Sequence, residues 1–269
     1  MDQKKLVDAQ FGVAAMDYLQ SPTHAQGADL QRLRALADGQ RDWRVLDLGC
    51  GAGHAGFALA DEVREVTAYD LSAEMLVVVA AEAQRRKLAN LRTQQGVAET
   101  LPFADAGFDL VVTRFSAHHW ADVPRALREV RRVLQPEGRL VVIDVVAPET
   151  PLLDTLLQSI EVLRDASHVR DYRYSEWEAM LILAGFIISD QQAWKLPLCF
   201  ESWVGRMRTP ELRVAAIRSL CAAAATEVRD YFAIQPNNDC AIDAAWIEAV
   251  PRLPDALRRR TGNDSFLRR

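Results

Sequence analysis

The chain has 269 residues, 49% of them apolar, 26% charged and 7% aromatic. That is enough apolar mass for one or two cores, and it excludes a disordered tail or a disulfide-stapled miniprotein. The 32 Lys and Arg against 37 Asp and Glu give a formal charge of -5 with no interior basic block, which argues against a nucleic-acid groove that must neutralise many phosphates. Cys50, Cys199, Cys221 and Cys240 form no C-x-x-C pair, so neither a zinc knuckle nor a disulfide framework is indicated and a reducing cytoplasm is the expected compartment. The densest apolar run, 75–81, is far too short to span a bilayer, and no apolar signal region follows the first lysines.

In chain order, two helical stretches at 7–19 and 28–37 precede any strand and are joined by a turn around Ser21-Pro22-Thr23-His24. Strand-like runs follow at 43–48, 66–69, 91–95, 108–113 and 139–146, with helical patterns at 55–63, 72–86 and 123–134 between them. This alternation is a βαβ series. Strands that are nearly continuous in apolar residues must be covered on both faces, so the expected fold class is α/β, a doubly wound, mostly parallel sheet of seven strands. Helices are expected at 152–164 and 175–184, then an extended run at 186–198, a helical piece at 200–232 and a last strand at 240–250. The expected division is a helical cap at 1–40, a core at 41–199 and 236–256, a helical lid insertion at 200–235 and a flexible tail at 257–269.

The most informative stretch is Val45-Leu46-Asp47-Leu48-Gly49-Cys50-Gly51-Ala52-Gly53, an apolar strand that runs into three alternating glycines and then a helix. Glycines there let the backbone turn sharply and approach a ligand, and the helix N-terminus offers unpaired N–H groups. Asp70 ends the second strand, where two carboxylate oxygens can accept both hydroxyls of a ribose, or simply cap a helix. Gly51-x-Gly53-x-x-Gly56 also satisfies the dinucleotide fingerprint, so a nicotinamide-dependent oxidoreductase has to be weighed. Against it, the glycine series begins earlier, a long helical cap precedes the first strand, and the chain has no Tyr-x-x-x-Lys pair for hydride chemistry.

The series Asp47-x-Gly49-x-Gly51-x-Gly53, Asp70, Ala98-Glu99-x-Leu101-Pro102-Phe103, Phe108-Asp109 and Leu134-x-Pro136-x-Gly138 resembles the class I S-adenosylmethionine-dependent methyltransferases, and within them the ubiquinone/menaquinone-biosynthesis type. The resemblance spans about 43–146 and implies a Rossmann-like core with S-adenosyl-L-methionine as cofactor. It implies that Gly49, Gly51 and Gly53 shape the methionine pocket, that Asp47 supports it through water, and that Asp70 binds the ribose. Leu71 would cover one adenine face, and Ala98 and Glu99 would flank the adenine. Arg114 and Phe115, at the end of the fourth strand, would meet the methionine portion. Members of the family often carry an acid just before the Ala-Glu pair; here Val97 stands there, which implies a weakened or water-mediated adenine contact.

Methyl transfer from a sulfonium is an in-line displacement, so a site must align the partners and exclude water, with a base needed only for a protonated nucleophile. His119, in Arg114-Phe115-Ser116-Ala117-His118-His119-Trp120, is the preferred polar group at the carboxyl edge of the sheet, ahead of His118, and Trp120 is expected beside it. His24 could close over the cofactor from the cap, and His168 belongs to the polar group Arg164-Asp165-x-Ser167-His168-x-Arg170-x-Tyr172, which reads either as substrate-facing or as a salt-bridged loop. His54 is expected to face solvent. Arg164, Tyr172, Phe200, Trp203 and Met207 are the remaining candidates for the acceptor pocket, the last three from an i, i+3, i+7 stripe on the insertion. No metal site is expected.

The function expected is methylation of a small, ring-containing metabolite at carbon, oxygen or nitrogen. The alternative is a regulator or scaffold that binds the cofactor without catalysis. No nucleic-acid partner and no membrane span are expected, and a homodimer is compatible with the sequence. The cap and the 200–232 piece are expected to close together as a lid.

Overall fold

The computed structural model describes residues 2–12, 18–19 and 27–252, so His24 and the expected tail lie outside the described residues. The chain runs through α1 (Gln3–Gly12), α2 (Ala28–Ala37), β1 (Arg44–Leu48), α3 (His54–Leu59), β2 (Glu65–Asp70), α4 (Ala73–Arg86), β3 (Leu91–Gln95) and β4 (Phe108–Arg114). A short 3-10 turn, Ala117–His119, leads to α5 (Val123–Val133), β5 (Leu134–Val145), α6 (Pro151–Arg164), α7 (Tyr174–Leu183) and β6 (Phe186–Leu198). Then come α8 (Phe200–Arg206), α9 (Glu211–Ala223), α10 (Thr226–Tyr231) and β7 (Cys240–Pro251).

The strands form one sheet in the order β3-β2-β1-β4-β5-β7-β6. The pairs among β1 to β5 are parallel, while β7 runs antiparallel to both β5 and β6. Alternation along each strand divides the apolar residues between two layers. Leu46, Val111, Leu140, Val142 and Ile247 face α5 and α7, whereas Val45, Leu110, Val112, Val141, Ile143 and Trp246 face α2 and α3. Local signals set the helix starts: Asp122 accepts from the Arg125 N–H at 2.9 Å ahead of α5, and Ser72 accepts from the Met75 N–H at 3.5 Å ahead of α4.

The order of the strands reverses direction between β1, whose next strand β2 lies to one side, and β4 on the other. Ligands bind at the carboxyl ends of strands flanking such a point. The helices α8 to α10 sit between β6 and β7 in sequence, and Phe200, Trp203, Val204, Val214, Ile217 and Phe232 share one core with Leu157 and Ile160 of α6 and Ile242 of β7. Within the segment expected to act as a lid, α8 packs into the fold, with Phe200 2% and Trp203 3% exposed.

Candidate active site

The strand-to-helix turn after β1 is built on left-handed backbone, with φ of 67° at Gly49, 49° at Gly51 and 85° at Gly53. Space adds a second constraint at Gly49, where a Cβ would stand 2.0 Å from the Ser116 hydroxyl. At Gly51 a Cβ would meet nothing within 4 Å. That opening belongs to a cavity of about 1060 Å3 over the carboxyl ends of β1, β2 and β4, covered by α1 through Gln3, Lys4, Val7 and Phe11.

Asp47, Gly49, Gly51, Asp70, Leu71, Ala98, Glu99, Arg114, Phe115, Trp120 and His119 all line this cavity. Asp70 accepts from the Gly51 N–H at 2.8 Å through Oδ2 and from the Ser72 N–H at 2.9 Å through Oδ1, leaving one lone pair on each oxygen for a ligand. Burial raises its pKa, against the pull of these backbone donors, and the Asp8 carboxylate raises it further. Arg114 is fixed by a buried ion pair to Asp29 of α2 at 2.5 Å, and its guanidinium lies 4.9 Å from the centre of the Phe115 ring. Phe115 itself has a φ of 50°, a strained backbone that turns the chain from β4 into the cavity wall.

Asp47 lines the cavity, its Oδ2 accepts from the Gly56 N–H at 2.8 Å, and burial pushes its pKa up to about 7. Several sequence expectations need correction. Gly53 does not line the cavity; it precedes α3, where a Cβ would press on the Phe57 ring at 2.9 Å and on Val79. Glu99 lines the cavity but uses Oε1 to accept the Ala121 and Asp122 N–H groups at 3.0 and 3.3 Å. His54 faces inward at 9% exposure, with Nε2 3.2 Å from the Tyr18 carbonyl. Val97 spends its carbonyl on the Tyr69 hydroxyl at 3.3 Å, and its side chain has no group to offer an adenine.

A second cavity of about 570 Å3 shares Phe11, Tyr18, Phe115 and His119 with the first. Its other walls are apolar residues such as Val145, Leu196, Leu198, Trp203 and Ile242, and its polar end carries His118, Glu161, Arg164, Asp171 and Arg206. Arg164 and Trp203 were expected at such a site. Tyr172 and Phe200 line neither cavity and are packed in the cores, Tyr172 against Trp177 with ring centres 5.9 Å apart. Met207 is buried and its sulfur receives the Tyr18 hydroxyl at 3.0 Å. His168 lies outside both cavities, 3.2 Å from Gln158 Oε1, and burial beside the His118 charge lowers its pKa to about 2.

The two adjacent histidines have opposite charge states. His118 Nδ1 lies 2.6 Å from Asp144 Oδ1, and although burial works against its charge, the Asp144 carboxylate outweighs that and raises its pKa to about 9. His119 is held neutral by burial and by the His118 charge, its pKa lowered to about 3. Its Nδ1 faces the Ser167 carbonyl at 3.3 Å and the Ser167 hydroxyl at 3.4 Å, and that hydroxyl donates to Asp165 Oδ1 at 2.6 Å. Both neighbours of Nδ1 are therefore acceptors, which assigns the ring hydrogen to Nδ1 and the lone pair to Nε2. Asp165 Oδ2, buried and without a hydrogen-bond partner among the described residues, stands 3.9 Å from that Nε2.

Asp165 and Ser167 belong to the polar group read from the sequence, whereas Asp144 and Asp171 were not singled out there. A signal existed for Asp144, a lone carboxylate inside the apolar run Val141-Val142-Ile143-Asp144-Val145-Val146. Among the described residues there is no group of three or more His, Cys, Asp or Glu able to hold a metal, and no helix is long and apolar enough to cross a membrane.

The family model described as "Methyltransferase domain" matches residues 46–142. The uncharacterized protein YafE of Escherichia coli (strain K12) is 51% identical over 201 residues, 75% of this chain and 97% of the relative. The uncharacterized methyltransferase YcgJ of Bacillus subtilis (strain 168) is 40% identical over 251 residues, 91% of this chain and 99% of the relative. The crystal structure of YcgJ superposes with a TM-score of 0.80 at 39% identity, covering 84% of this chain and 98% of that one. A demethylmenaquinone methyltransferase of Chlorobaculum parvum is 32% identical over 47% of this chain and 51% of its own length. The residues present fit an adenosyl cofactor: an acid with spare lone pairs at the end of β2, apolar Leu71 and Ala98 beside it, and open space before Gly51. With glycine turn, acid, cavity and relatives in agreement, this chain belongs to the S-adenosylmethionine-dependent methyltransferases.

Proposed function

We propose that the enzyme methylates a small, ring-containing metabolite held in the second cavity. The carrying observation is that this cavity has apolar walls and meets the cofactor cavity at Phe11, Tyr18, Phe115 and His119. S-adenosyl-L-methionine supplies an electrophilic methyl group when bound. The chain's own residues then have to bind, orient and exclude water. Asp70 would hold the ribose hydroxyls, Leu71, Ala98 and Glu99 would border the adenine, and Gly49, Gly51, Asp47 and Arg114 would frame the methionine end.

At the acceptor, the neutral His119 offers the Nε2 lone pair to an O–H or N–H of the nucleophile, which orients it and raises its electron density. If the proton leaves, Nε2 takes it, the new N–H points back at the acceptor atom, and the Asp165 carboxylate 3.9 Å away offsets the charge of the imidazolium. The test is a panel of phenols, quinols, indoles and acyclic acids incubated with the enzyme and methyl-labelled S-adenosylmethionine. Label should enter ring compounds, and labelling confined to acyclic acids would overturn the reading.

A further inference from the structure

Arg164, Arg206, Arg208 and Arg213 line a third cavity of about 760 Å3, with no carboxylate among its described lining residues. They come from separate places: Arg164 ends α6, Arg206 ends α8, Arg208 follows it, and Arg213 lies in the first turn of α9. Packing brings them together. Arg164 Nε donates to the Trp203 carbonyl at 3.1 Å, and Thr209 Oγ1 donates to the Arg164 carbonyl at 2.9 Å. Gln10 of α1 donates to the Met207 carbonyl at 2.9 Å, so the first helix also closes on this corner.

A solvated basic surface would hold its arginines apart and wet. Here Arg164 is 9% exposed and Arg206 is half-buried. Burial, with the neighbouring Arg164 charge adding to it, holds Arg206 below the ordinary guanidine pKa. Arg164 has Glu161 at 3.4 Å, whereas the Arg213 guanidinium has no hydrogen bond or ion pair among the described residues. An anion set among them would offset the repulsion and occupy forked donors. A carboxylate engages one fork, while a phosphate monoester brings three acceptor oxygens and close to two charges, which suits several converging guanidiniums.

Arg164 and Arg206 line the second cavity as well, so the two cavities meet at these side chains. We propose that the acceptor is a phosphate ester, its charged group seated by Arg164, Arg206 and Arg213 in the third cavity and its apolar body in the second. The proposal rests on the second cavity being the acceptor's.

The test uses the full chain, with calorimetry and phosphorus NMR against phenyl phosphate, inorganic phosphate and benzoate, and a separate titration with S-adenosylhomocysteine. Phenyl phosphate should bind at least ten-fold tighter than benzoate and weaken as sodium chloride is raised. R213Q, at a half-exposed side chain with no hydrogen bond or ion pair among the described residues, should weaken both phosphates at least five-fold and leave S-adenosylhomocysteine binding and the melting temperature as in the parent. L196W, which narrows the second cavity, should weaken phenyl phosphate and spare inorganic phosphate. Benzoate binding as well as phenyl phosphate, or R213Q binding phosphate like the parent, would overturn the phosphate site. Phenyl phosphate unaffected by L196W would overturn the placement of the body. Loss of S-adenosylhomocysteine binding in the parent would instead count against the proposed function.

Discussion

Asp144 holds His118 by a 2.6 Å contact between Oδ1 and Nδ1, and the same carboxylate accepts the Ala117 N–H at 2.9 Å and the Val145 N–H at 2.8 Å. One strand-borne acid thus fixes both the protonation of His118 and the start of the turn that carries His119. Asp171 and Glu161 face the same imidazolium and support its charge, while His119 and His168 are kept neutral by it. Because the folded pKa of His118, about 9, lies above the ordinary 6.5, the pair's contribution to stability is complete below pH 6.5 and is lost as pH rises through 9. Asp144→Asn should flatten the fall in stability between pH 6.5 and 9 and cost on the order of 3 kcal/mol at pH 6.5. Urea unfolding at a series of pH values reads this, and a variant with the parent's slope would put the proton elsewhere.

His119 and His168 carry the opposite sign. Their folded pKa values lie below 6.5, so each withdraws stability as pH falls from 6.5, where the unfolded chain takes up protons that the native state refuses. His168 lines neither ligand cavity, which makes His168→Gln a clean probe: the loss of stability from pH 6.5 to 4.5 should become shallower. The raised pKa values of Asp47, Asp70 and Asp171 act in the other direction over the same range, so the readout is the difference between variant and parent.

The glycine turn allows two contrasting substitutions. Gly51→Val points into open cavity space, so S-adenosylhomocysteine binding should vanish while the fold survives with a loss of about 1–2 kcal/mol for the left-handed backbone. Gly49→Ala drives a methyl group into the Ser116 hydroxyl and displaces the loop that carries Phe115 and His119, so stability should fall further than in Gly51→Val. Asp70→Asn should weaken cofactor binding by about 1.5–3 kcal/mol, since it replaces one carboxylate oxygen by a donor facing N–H groups or ribose hydroxyls. Calorimetry and thermal melting of the three variants separate these outcomes, and parent-like binding by Asp70→Asn would move the ribose away from β2.

The glycine turn and the acid at the end of β2 were legible because their determinants are local. A βα turn announces itself in consecutive residues, and Asp70 follows from the position at which the next strand ends. The same locality made β1, β4 and the later part of β5 readable as apolar runs, whereas β3 and β6 carry many polar residues at the sheet edges. The polar cluster was legible only in part: Asp165, Ser167 and His168 stand together in the sequence, but their meeting with Asp144 on β5 and with Glu161 on α6 occurs only in three dimensions. Phe200 shows the converse limit. An apolar stripe at helical spacing has the same sequence signature whether it packs on α6 or lines a pocket, and packing won here.

His119 tests the acceptor chemistry. His119→Gln should lower kcat about 100-fold once an acceptor is found, with S-adenosylhomocysteine affinity unchanged within a factor of about three. Asp165→Asn should reproduce part of that loss for an O–H or N–H acceptor and none of it for an acceptor that gives up no proton, because the Asp165 carboxylate offsets a charge that exists only when Nε2 is protonated. Unchanged kcat in His119→Gln would leave His119 as cavity wall alone.

The cover of the cofactor cavity is a ten-residue helix, α1, short enough to be marginal in isolation. Few side-chain bonds hold it down: Gln3 Nε2 donates to the Ser167 carbonyl at 2.6 Å, and Gln10 reaches Met207. Lys4, Val7 and Phe11 of this helix line the cavity and are the expected movers on cofactor entry, whereas α8 is anchored by Phe200 and Trp203. Hydrogen exchange should therefore show α1 gaining strong protection with S-adenosylhomocysteine, and α8 and α5 almost none. Equal exchange of α1 in both states would mean a rigid cover and a different entrance, and protection gained by α8 as large as that of α1 would restore the two-part lid suggested by the sequence.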